Sequence, residues 1–255
     1  MEDISDILAS VDRDNINLPE STALDHQQLT RFWVAERAAP ELLPWPAPLM
    51  DRMMERLKMQ IAQIEDLSIS DPASTTANNP ALNLTLSILQ SDLSRTQFLI
   101  RSLLRQRLAK LTKHAIHYLR LSSPATTSPQ QQERQETPLL SPQEHSFLSA
   151  HHALLATHYA HSFLSSFPPA LRKLDDNAGG TSMVTVPEIK EVVFVRCLVE
   201  RVDVVIPAEA GPEQGDRMGL GVGDRLGERM GKGEVWMVRW EGVREAWRRG
   251  EVEVL

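Results

Sequence analysis

The sequence predicts an α+β protein, in which a helical N-terminal domain is followed by a small, mostly β C-terminal domain. Before residue 176, apolar residues recur at spacings of three and four, which is the period of one helical face. After residue 183, valine-dense runs and apolar/polar alternation indicate strands. Small, polar residues at 177–182 are typical of a linker. We therefore predict a helical domain over 22–176 and a β-rich domain over 183–255.

The composition narrows the class of protein. A net charge of −7 argues against a surface that binds nucleic acid or membrane as a whole. One cysteine, Cys197, excludes an internal disulfide and suits a reducing compartment. No run approaches the ~18 apolar residues of a spanning helix, and no secretory signal is recognisable, so we expect no membrane association.

Residues 1–21 are predicted to be a flexible tail that contains one short amphipathic helix. Ile4, Ile7, Leu8 and Val11 recur on one helical face. A helix this short is marginal alone and would form mainly on docking. The residues themselves leave two interpretations open, a docking helix for a partner or a tail that frays or packs on its own domain.

Four helices are predicted in the helical domain, separated by low-complexity linkers at 68–80 and 122–138. The longest, over 82–121, contains 40 residues without Gly or Pro. At a rise of ~1.5 Å per residue it would be roughly 60 Å long, so part of its apolar stripe needs cover from another chain. The other three are predicted over 24–39, 48–67 and 141–166.

Local signals mark the ends of these helices. Pro40 ends the first helix. Ser141 and Glu144 form a capping box at the start of the fourth, with Pro142 at its first helical position. We expect the fourth helix to continue to Ser166, just before Pro168.

Strands and one long loop are predicted in the β-rich domain. We expect a Gly-rich loop over 208–233 and a helical turn over 242–249. The strands are predicted at 183–186, 192–199, 202–206, 234–240 and 251–255.

The motifs of nucleotide-binding and catalytic sites are incomplete. The glycines at 219, 221 and 223 are followed by Asp224, so GxGxxG is not met. Lys232 is not followed by Ser or Thr, which excludes a P-loop. Histidines on the fourth helix include His158 and His161, but no acid or cysteine lies near enough in sequence to complete a metal site. We predict no enzyme, no cofactor and no bound metal.

The long helix carries a basic row that allows two interpretations. Such a row could neutralise nucleic-acid phosphates, although neither an aromatic platform nor a reading motif accompanies it. Alternatively, it forms salt bridges with the many acids of this chain or of a partner, which we favour. The row consists of Arg95, Arg101, Arg105, Arg107, Lys110, Lys113 and Arg120.

Four separate stretches together resemble one family. Residues 33–43 (WVAERAAPELL), 105–113 (RQRLAKLTK), 140–144 (LSPQE) and 168–175 (PPALRKLD) resemble, in order, the signatures of GINS complex subunits of the SLD-five type. Together with the closing β segment, the resemblance covers about residue 22 to the C-terminus. It departs from the family in the long linkers and in the enlarged 208–233 loop.

The resemblance implies a function by binding. It implies a helical A domain, a β-rich B domain and a non-catalytic scaffold in a nuclear heterotetramer with three paralogous GINS subunits. That tetramer would join an MCM motor and its accessory factor in the replicative helicase, with DNA contacted only indirectly or weakly. It also implies that Ile4, Ile7, Leu8 and Val11 dock on a trimeric replisome adaptor.

The same motifs supply candidate structural and interface residues. We expect Trp33 to be buried, residues 40–43 to turn the chain, and the charged members to form ion pairs. The candidates are Trp33, Glu36, Arg37, Pro40, Glu41, Leu42, Leu43, Arg105, Arg107, Leu108, Lys110 and Leu111.

Overall fold

The structure is a computed structural model that describes residues 19–69, 80–122, 138–168, 184–207 and 225–255. The predicted docking residues Ile4, Ile7, Leu8 and Val11 lie outside these ranges. The helices are α1 (Pro19–Ala38), α2 (Ala47–Ile69), α3 (Pro80–Lys113), α4 (Ala115–Ser122), α5 (Pro142–Ser162), a 3₁₀ turn (Leu164–Ser166) and α6 (Trp240–Arg248). The strands are β1 (Val192–Cys197), β2 (Arg201–Pro207), β3 (Arg225–Gly231), β4 (Val235–Arg239) and β5 (Val252–Val254).

Helices followed by small antiparallel sheets confirm the predicted α+β class. By their contacts, the residues divide into two compact units, 1–33 with 44–106 and 34–43 with 107–255. The predicted domain boundaries stay predictions. In the first unit, side chains of α1, α2 and α3 form the core, with Phe32, Trp33 and Trp45 packed against it. The buried members of this core are Leu29, Leu49, Met50, Met53, Leu57, Ile100 and Leu103.

The second unit contains a helical core and the β structure. The helical core lies between the end of α3, α4 and α5. Its buried side chains include Leu42, Leu111, Tyr118 and Leu148. A three-stranded sheet has the order β4-β1-β5, and β2 pairs with β3 in a separate hairpin; all these pairs are antiparallel. Helix α6 buries one face through Trp240, which contributes the largest fully buried side chain among the described residues.

One continuous helix was predicted over 82–121, and this prediction was wrong. The chain forms two helices, α3 and α4, with a break at His114. The Thr185 hydroxyl donates to the Lys113 carbonyl at 3.1 Å. This carbonyl is the acceptor that residue 117 would use in an unbroken helix. The His114 Nδ1 atom lies 3.1 Å from the Thr185 carbonyl oxygen, so a segment distant in sequence engages the break from both sides. A side chain that enters the backbone ladder is a recognised cause of such breaks.

Helix α5 ends at Ser162, four residues before the predicted end. The backbone of Phe163 leaves the helical region, with φ −128° and ψ −26°. The chain then tightens into a 3₁₀ turn that buries Leu164. The helix therefore ends before Pro168 is reached, at a change of backbone conformation that accompanies the burial of Leu164.

Two predictions about the β structure were wrong. Residues 184–186 form no strand, because Thr185 bonds to the α3–α4 break instead of a ladder. Residues 225–231 lie inside the predicted Gly-rich loop but form β3, which pairs with β2 from Arg201↔Gly231 to Pro207↔Arg225. The sequence RLGERMG has little strand propensity of its own, so cross-strand pairing sets its conformation. The predicted turn at 242–249 is the nine-residue helix α6.

Candidate interaction site

Arg107 is the centre of a buried ion network in the second unit. Its side chain is 0% exposed. Its Nε and Nη2 groups donate to the two carboxylate oxygens of Glu144 at 2.6 and 3.0 Å. Its Nη1 group donates to Glu36 Oε2 at 3.0 Å and to the Leu43 carbonyl at 2.8 Å, and Nη2 also reaches the Leu139 carbonyl. All five N–H donors of the guanidinium are thus engaged.

Glu144 has two roles in this network. As the third residue of the α5 capping box, its carboxylate accepts a hydrogen bond from the Ser141 amide at 2.9 Å. The Glu144 amide in turn donates to the Ser141 hydroxyl at 3.1 Å, which confirms the predicted box. Because the same carboxylate binds Arg107, the start of α5 is held directly on α3.

Lys110 lies one helical turn after Arg107 and joins α1 to the corner that follows it. Its ammonium group donates to Glu36 Oε1 at 2.7 Å, to the Glu36 carbonyl and to the Glu41 carbonyl at 2.8 Å. Two carboxylates, Glu36 and Glu144, are therefore matched by two cations, Arg107 and Lys110. Matched charges with satisfied donors are the condition under which buried ions are tolerated.

Burial acts on the two ends of the Glu36–Lys110 pair in opposite directions. Desolvation raises the pKa of the Glu36 carboxyl, although Lys110 and Arg107 oppose this shift. Desolvation lowers the pKa of the Lys110 ammonium, and Glu36 opposes that shift. We assign the charged form to both at neutral pH because the hydrogen bonds around them are formed by donors and acceptors suited to ions.

Glu41 extends the network to the β structure of the same unit. Its Oε1 atom accepts a hydrogen bond from the Trp240 indole nitrogen at 3.1 Å and lies 2.6 Å from Arg244 Nε. Trp240 is fully buried, so its indole N–H has to find a protein acceptor. One carboxylate thus ties α6 to the corner after α1.

The corner at 40–43 is held by side-chain acceptors rather than by regular structure. The Leu42 amide donates to the Tyr118 hydroxyl at 2.9 Å, and the Leu43 amide donates to Glu36 Oε2 at 3.3 Å. Leu42 and Leu43 are buried, whereas Pro40 is half-buried. Burial raises the pKa of the Tyr118 hydroxyl to about 12.

The other candidate residues lie at different depths. Trp33 was predicted to be buried but is only partly so, because it packs at the rim of the first core, where its indole nitrogen donates to Ser102 Oγ at 2.9 Å. Leu111 is fully buried in the second core. Arg37, Arg105 and Leu108 are exposed.

The predicted basic row does not form one surface. Arg107 points into the interior and Lys110 is largely enclosed, whereas Arg95, Arg101 and Arg105 are exposed. Sequence spacing alone could not separate Arg105 from Arg107. What distinguishes them is the capping-box carboxylate of Glu144, which lies 37 positions after Arg107 and binds it only in the folded chain.

Large apolar side chains are exposed on α3 and on the β4-β1-β5 sheet, at positions outside the motifs that the sequence singled out. On α3, Leu84 and Phe98 are each 63% exposed and Ile88 is 59% exposed. On the outer face of the β4-β1-β5 sheet, Phe194 lies opposite Met237, and both are more than half exposed. Patches of this kind mark surfaces that other proteins cover.

The described residues contain neither a metal-binding cluster nor a membrane-spanning helix, and their cysteine is buried. Across those ranges, no group of three or more His, Cys, Asp or Glu side chains could hold a metal ion. None of the helices in the described part combines the length and apolar character that crossing a membrane requires. Cys197 is buried in β1, with its sulfur 3.1 Å from the Val199 carbonyl.

Two protein-family models match the chain. A model described as the GINS complex protein helical bundle domain matches residues 58–163. A model described as the DNA replication complex GINS protein SLD5 C-terminus matches residues 187–255. The first match includes the C-terminal half of α2 and the whole of α3, α4 and α5, and the second includes the five strands of the described residues.

Curated relatives extend the similarity over most of the chain. The "DNA replication complex GINS protein SLD5" of Chaetomium globosum is 40% identical over 197 residues, which cover 77% of this chain and 80% of the relative. The protein of the same name from Yarrowia lipolytica is 34% identical over 76% of this chain and 69% of its own length. That from Eremothecium gossypii is 29% identical over 99% of this chain and 98% of its own length.

Proposed function

This chain belongs to the SLD5 family of DNA replication GINS complex proteins, and we propose that it acts as a non-catalytic scaffold subunit. In this proposal it assembles in the nucleus with three paralogous GINS subunits into a heterotetramer. The tetramer joins an MCM motor and its accessory factor in the replicative helicase. The ATPase activity then belongs to the motor, and this subunit contributes binding surfaces.

The exposed apolar face of α3 is the observation that carries the proposal. Leu84, Ile88 and Phe98 lie on one side of the helix and are each more than half exposed. Each Å² of apolar surface left in contact with water costs about 25 cal/mol of free energy relative to its burial. A partner helix that packs along this side removes that cost, and this is how one chain of a helical assembly recruits another.

The outer face of the β4-β1-β5 sheet supports the same proposal. Val192 and Phe194 on β1 and Val235 and Met237 on β4 are all more than half exposed. They form one apolar surface on the side of the sheet opposite the buried Val193 and Val195. This surface is a second candidate contact with the rest of the complex.

The tail residues Ile4, Ile7, Leu8 and Val11 remain the proposed contact with a trimeric replisome adaptor. The support is their single apolar helical face, which would be covered on docking. Binding through this short segment would leave the helical faces available to the paralogous subunits.

Co-expression with the three paralogous subunits tests the scaffold proposal. We expect one stable 1:1:1:1 complex in size-exclusion chromatography with light scattering. Ile88→Glu should reduce assembly, because burying an unpaired charge in an apolar contact is costly. Gln90→Glu, at an exposed position on the other side of α3, is the matched control and should assemble normally. Four proteins that elute separately with the unchanged chain would contradict the proposal.

The alternative function is nucleic-acid binding by the long helix. The observation that favours it is the exposure of Arg95, Arg101 and Arg105 on α3. Binding through phosphates would weaken steeply with salt. Salt-dependent DNA binding by the tetramer that is lost on changing Arg101 and Arg105 to Ala would support this alternative over a protein-only role.

A further inference from the structure

A groove lies between α1, α2 and α3 in the first unit, with a volume of about 620 Å³. Met53 and Leu57, two buried side chains of the first core, supply its apolar lining. A recess that combines an apolar lining with a few polar groups is the usual form of a binding site. Its polar lining includes Thr22, His26, Arg56, Gln60, Asp92 and Arg95.

Positive charge exceeds negative charge at this α1–α2–α3 groove. The buried Asp25 is shared by two arginines, since Arg52 Nη2 and Arg56 Nη2 each lie 2.9 Å from one of its carboxylate oxygens. Asp92 already accepts a hydrogen bond from a neighbouring glutamine at 3.2 Å. Arg95, by contrast, makes no hydrogen bond or ion pair within the described residues. Three arginines are thus matched by two carboxylates, so the groove suits an acidic ligand.

The chain itself contains an acidic, amphipathic segment that is attached beside this groove. Residues 1–14 contain five acidic residues and one basic residue. The four predicted docking residues of this segment recur on one helical face. The segment leads into α1, and Thr22 and Ala23 near the start of α1 line the groove. The tail therefore joins the first unit at the rim of the groove, and its charge and apolar face complement the lining.

Covalent attachment makes even a weak contact between the tail and the groove effective. The seven residues from 12 to 18 span at most roughly 23 Å when extended, so residues 4–11 stay close to the start of α1. A connection this short gives an effective concentration on the order of millimolar. At that concentration, a contact with a dissociation constant of roughly 0.25 mM would be formed about four-fifths of the time.

We propose that residues 4–11 dock in cis in the α1–α2–α3 groove. Their apolar face lies on Met53 and Leu57, and the acidic residues around it lie next to Arg95. The inference rests on the proposed function, because the same apolar face is the proposed contact with the replisome adaptor. Docking in cis covers the face that the adaptor needs, so the groove competes with the adaptor for the tail.

Photo-crosslinking in the assembled complex locates the tail. The full chain, co-expressed with the three paralogous subunits, carries a photoreactive phenylalanine analogue at position 8. We expect this analogue to crosslink to peptides of α1, α2 or α3 of the same chain. Crosslinks only to another subunit, or none to these three helices, would overturn the proposal.

Two exposed arginines of α3 provide matched variants for this experiment. Arg95→Glu reverses the charge in the groove, whereas Arg101→Glu reverses it outside the groove lining. Because both side chains are exposed, neither substitution should unfold the chain. A cis contact weakened about tenfold would lower the docked fraction from about 80% to about 30%, so we expect Arg95→Glu to reduce the crosslink yield about threefold. Arg101→Glu should leave the yield unchanged, and equal yields for the two variants would overturn the proposal.

Affinity for the trimeric adaptor, measured by isothermal titration calorimetry, separates this competition from the proposed function. Loss of the cis contact frees the tail, so we expect the complex with Arg95→Glu to bind the adaptor about three- to fourfold more tightly than the unchanged complex. Arg101→Glu should bind it as the unchanged complex does. Equal affinity of all three complexes would overturn the competition. Absence of adaptor binding by every complex would instead overturn the proposed adaptor contact, while an intact crosslink would still support the groove as the site of the tail.

Discussion

At the scale of single residues, Arg107 illustrates why an arginine and not a lysine suits the centre of the ion network. Its planar guanidinium binds Glu144 with two parallel hydrogen bonds and still reaches Glu36 and the Leu43 carbonyl. A lysine ammonium has three donors around a single nitrogen, so it could not make the paired bonds to Glu144 and also reach Glu36 and the Leu43 carbonyl. The neighbouring Arg105, exposed on the same helix, has no such requirement.

Removing the Arg107 side chain should therefore destabilise the protein strongly. Arg107→Ala leaves Glu36 and Glu144 buried without their main cation, and we expect a loss of about 3–5 kcal/mol in the free energy of unfolding. Arg105→Ala, two residues earlier, should change it by less than about 0.5 kcal/mol. Urea denaturation of both variants measures the difference. Similar midpoints for the two variants would contradict the assigned network.

At the scale of elements, α4 owes its position to contacts with segments far away in the chain. The Tyr118 hydroxyl accepts a hydrogen bond from the Leu42 amide. The Thr185 hydroxyl donates a hydrogen bond to the Lys113 carbonyl at the break between α3 and α4. Each contact satisfies a polar group that would otherwise be buried or unpaired near the helix. The break at His114 is therefore a consequence of tertiary contacts and not of a helix-breaking residue.

Tyr118→Phe isolates one of these contacts and gives a pH signature. The Leu42 amide loses its acceptor, so we expect a loss of about 1–3 kcal/mol at neutral pH. Burial raises the pKa of Tyr118 from its usual 10 to about 12. As the pH rises, Tyr118 therefore loses its hydroxyl proton in the unfolded state before it does so in the folded state. The stability that the protonated hydroxyl contributes is complete below pH 10 and is lost as the pH rises towards 12.

We accordingly expect the unchanged protein to lose more stability than Tyr118→Phe between pH 10 and 12. Denaturant midpoints measured across that range test this expectation. Tyr159→Phe, which removes the other tyrosine hydroxyl of the chain, controls for the substitution itself. Parallel pH profiles for the unchanged protein and Tyr118→Phe would count against the assignment.

At the scale of the whole molecule, the second unit holds helical and β segments together through one carboxylate. Glu41 lies 199 residues before Trp240 in sequence and binds its indole nitrogen, while Arg244 adds an ion pair. The same residue is anchored by Lys110 through its carbonyl oxygen. The ion network thus continues from the start of α5 to α6.

Glu41→Ala should loosen α6, because it leaves the buried Trp240 indole N–H without an acceptor. We expect a loss of about 1–3 kcal/mol and faster amide hydrogen exchange in α6. Glu41→Gln keeps a carbonyl oxygen for the indole and should show a smaller effect on both measurements. If exchange in α6 is equally slow in all three proteins, Glu41 does not hold this helix.

Much of this fold follows from local sequence. The helical period, the stop at Pro40 and the capping box at Ser141 and Glu144 depend on residues within a few positions of one another, and the structure confirms the box. The family resemblance also named Glu36, Arg107 and Lys110, but only as members of separate motifs. Nothing local in the sequence pairs them, since 71 positions separate Glu36 from Arg107.

The tertiary structure decided which of these residues meet and which face water. Arg105 and Arg107 have the same chemistry and almost the same position, yet the fold buries one and exposes the other. β3 has little strand propensity and exists through its pairing with β2. The sequence by itself determined the α+β class and the local helix signals because these depend on short-range backbone and side-chain preferences. Burial, ion pairing and the break at His114 depend on contacts between distant segments, and only the folded chain brings those segments together.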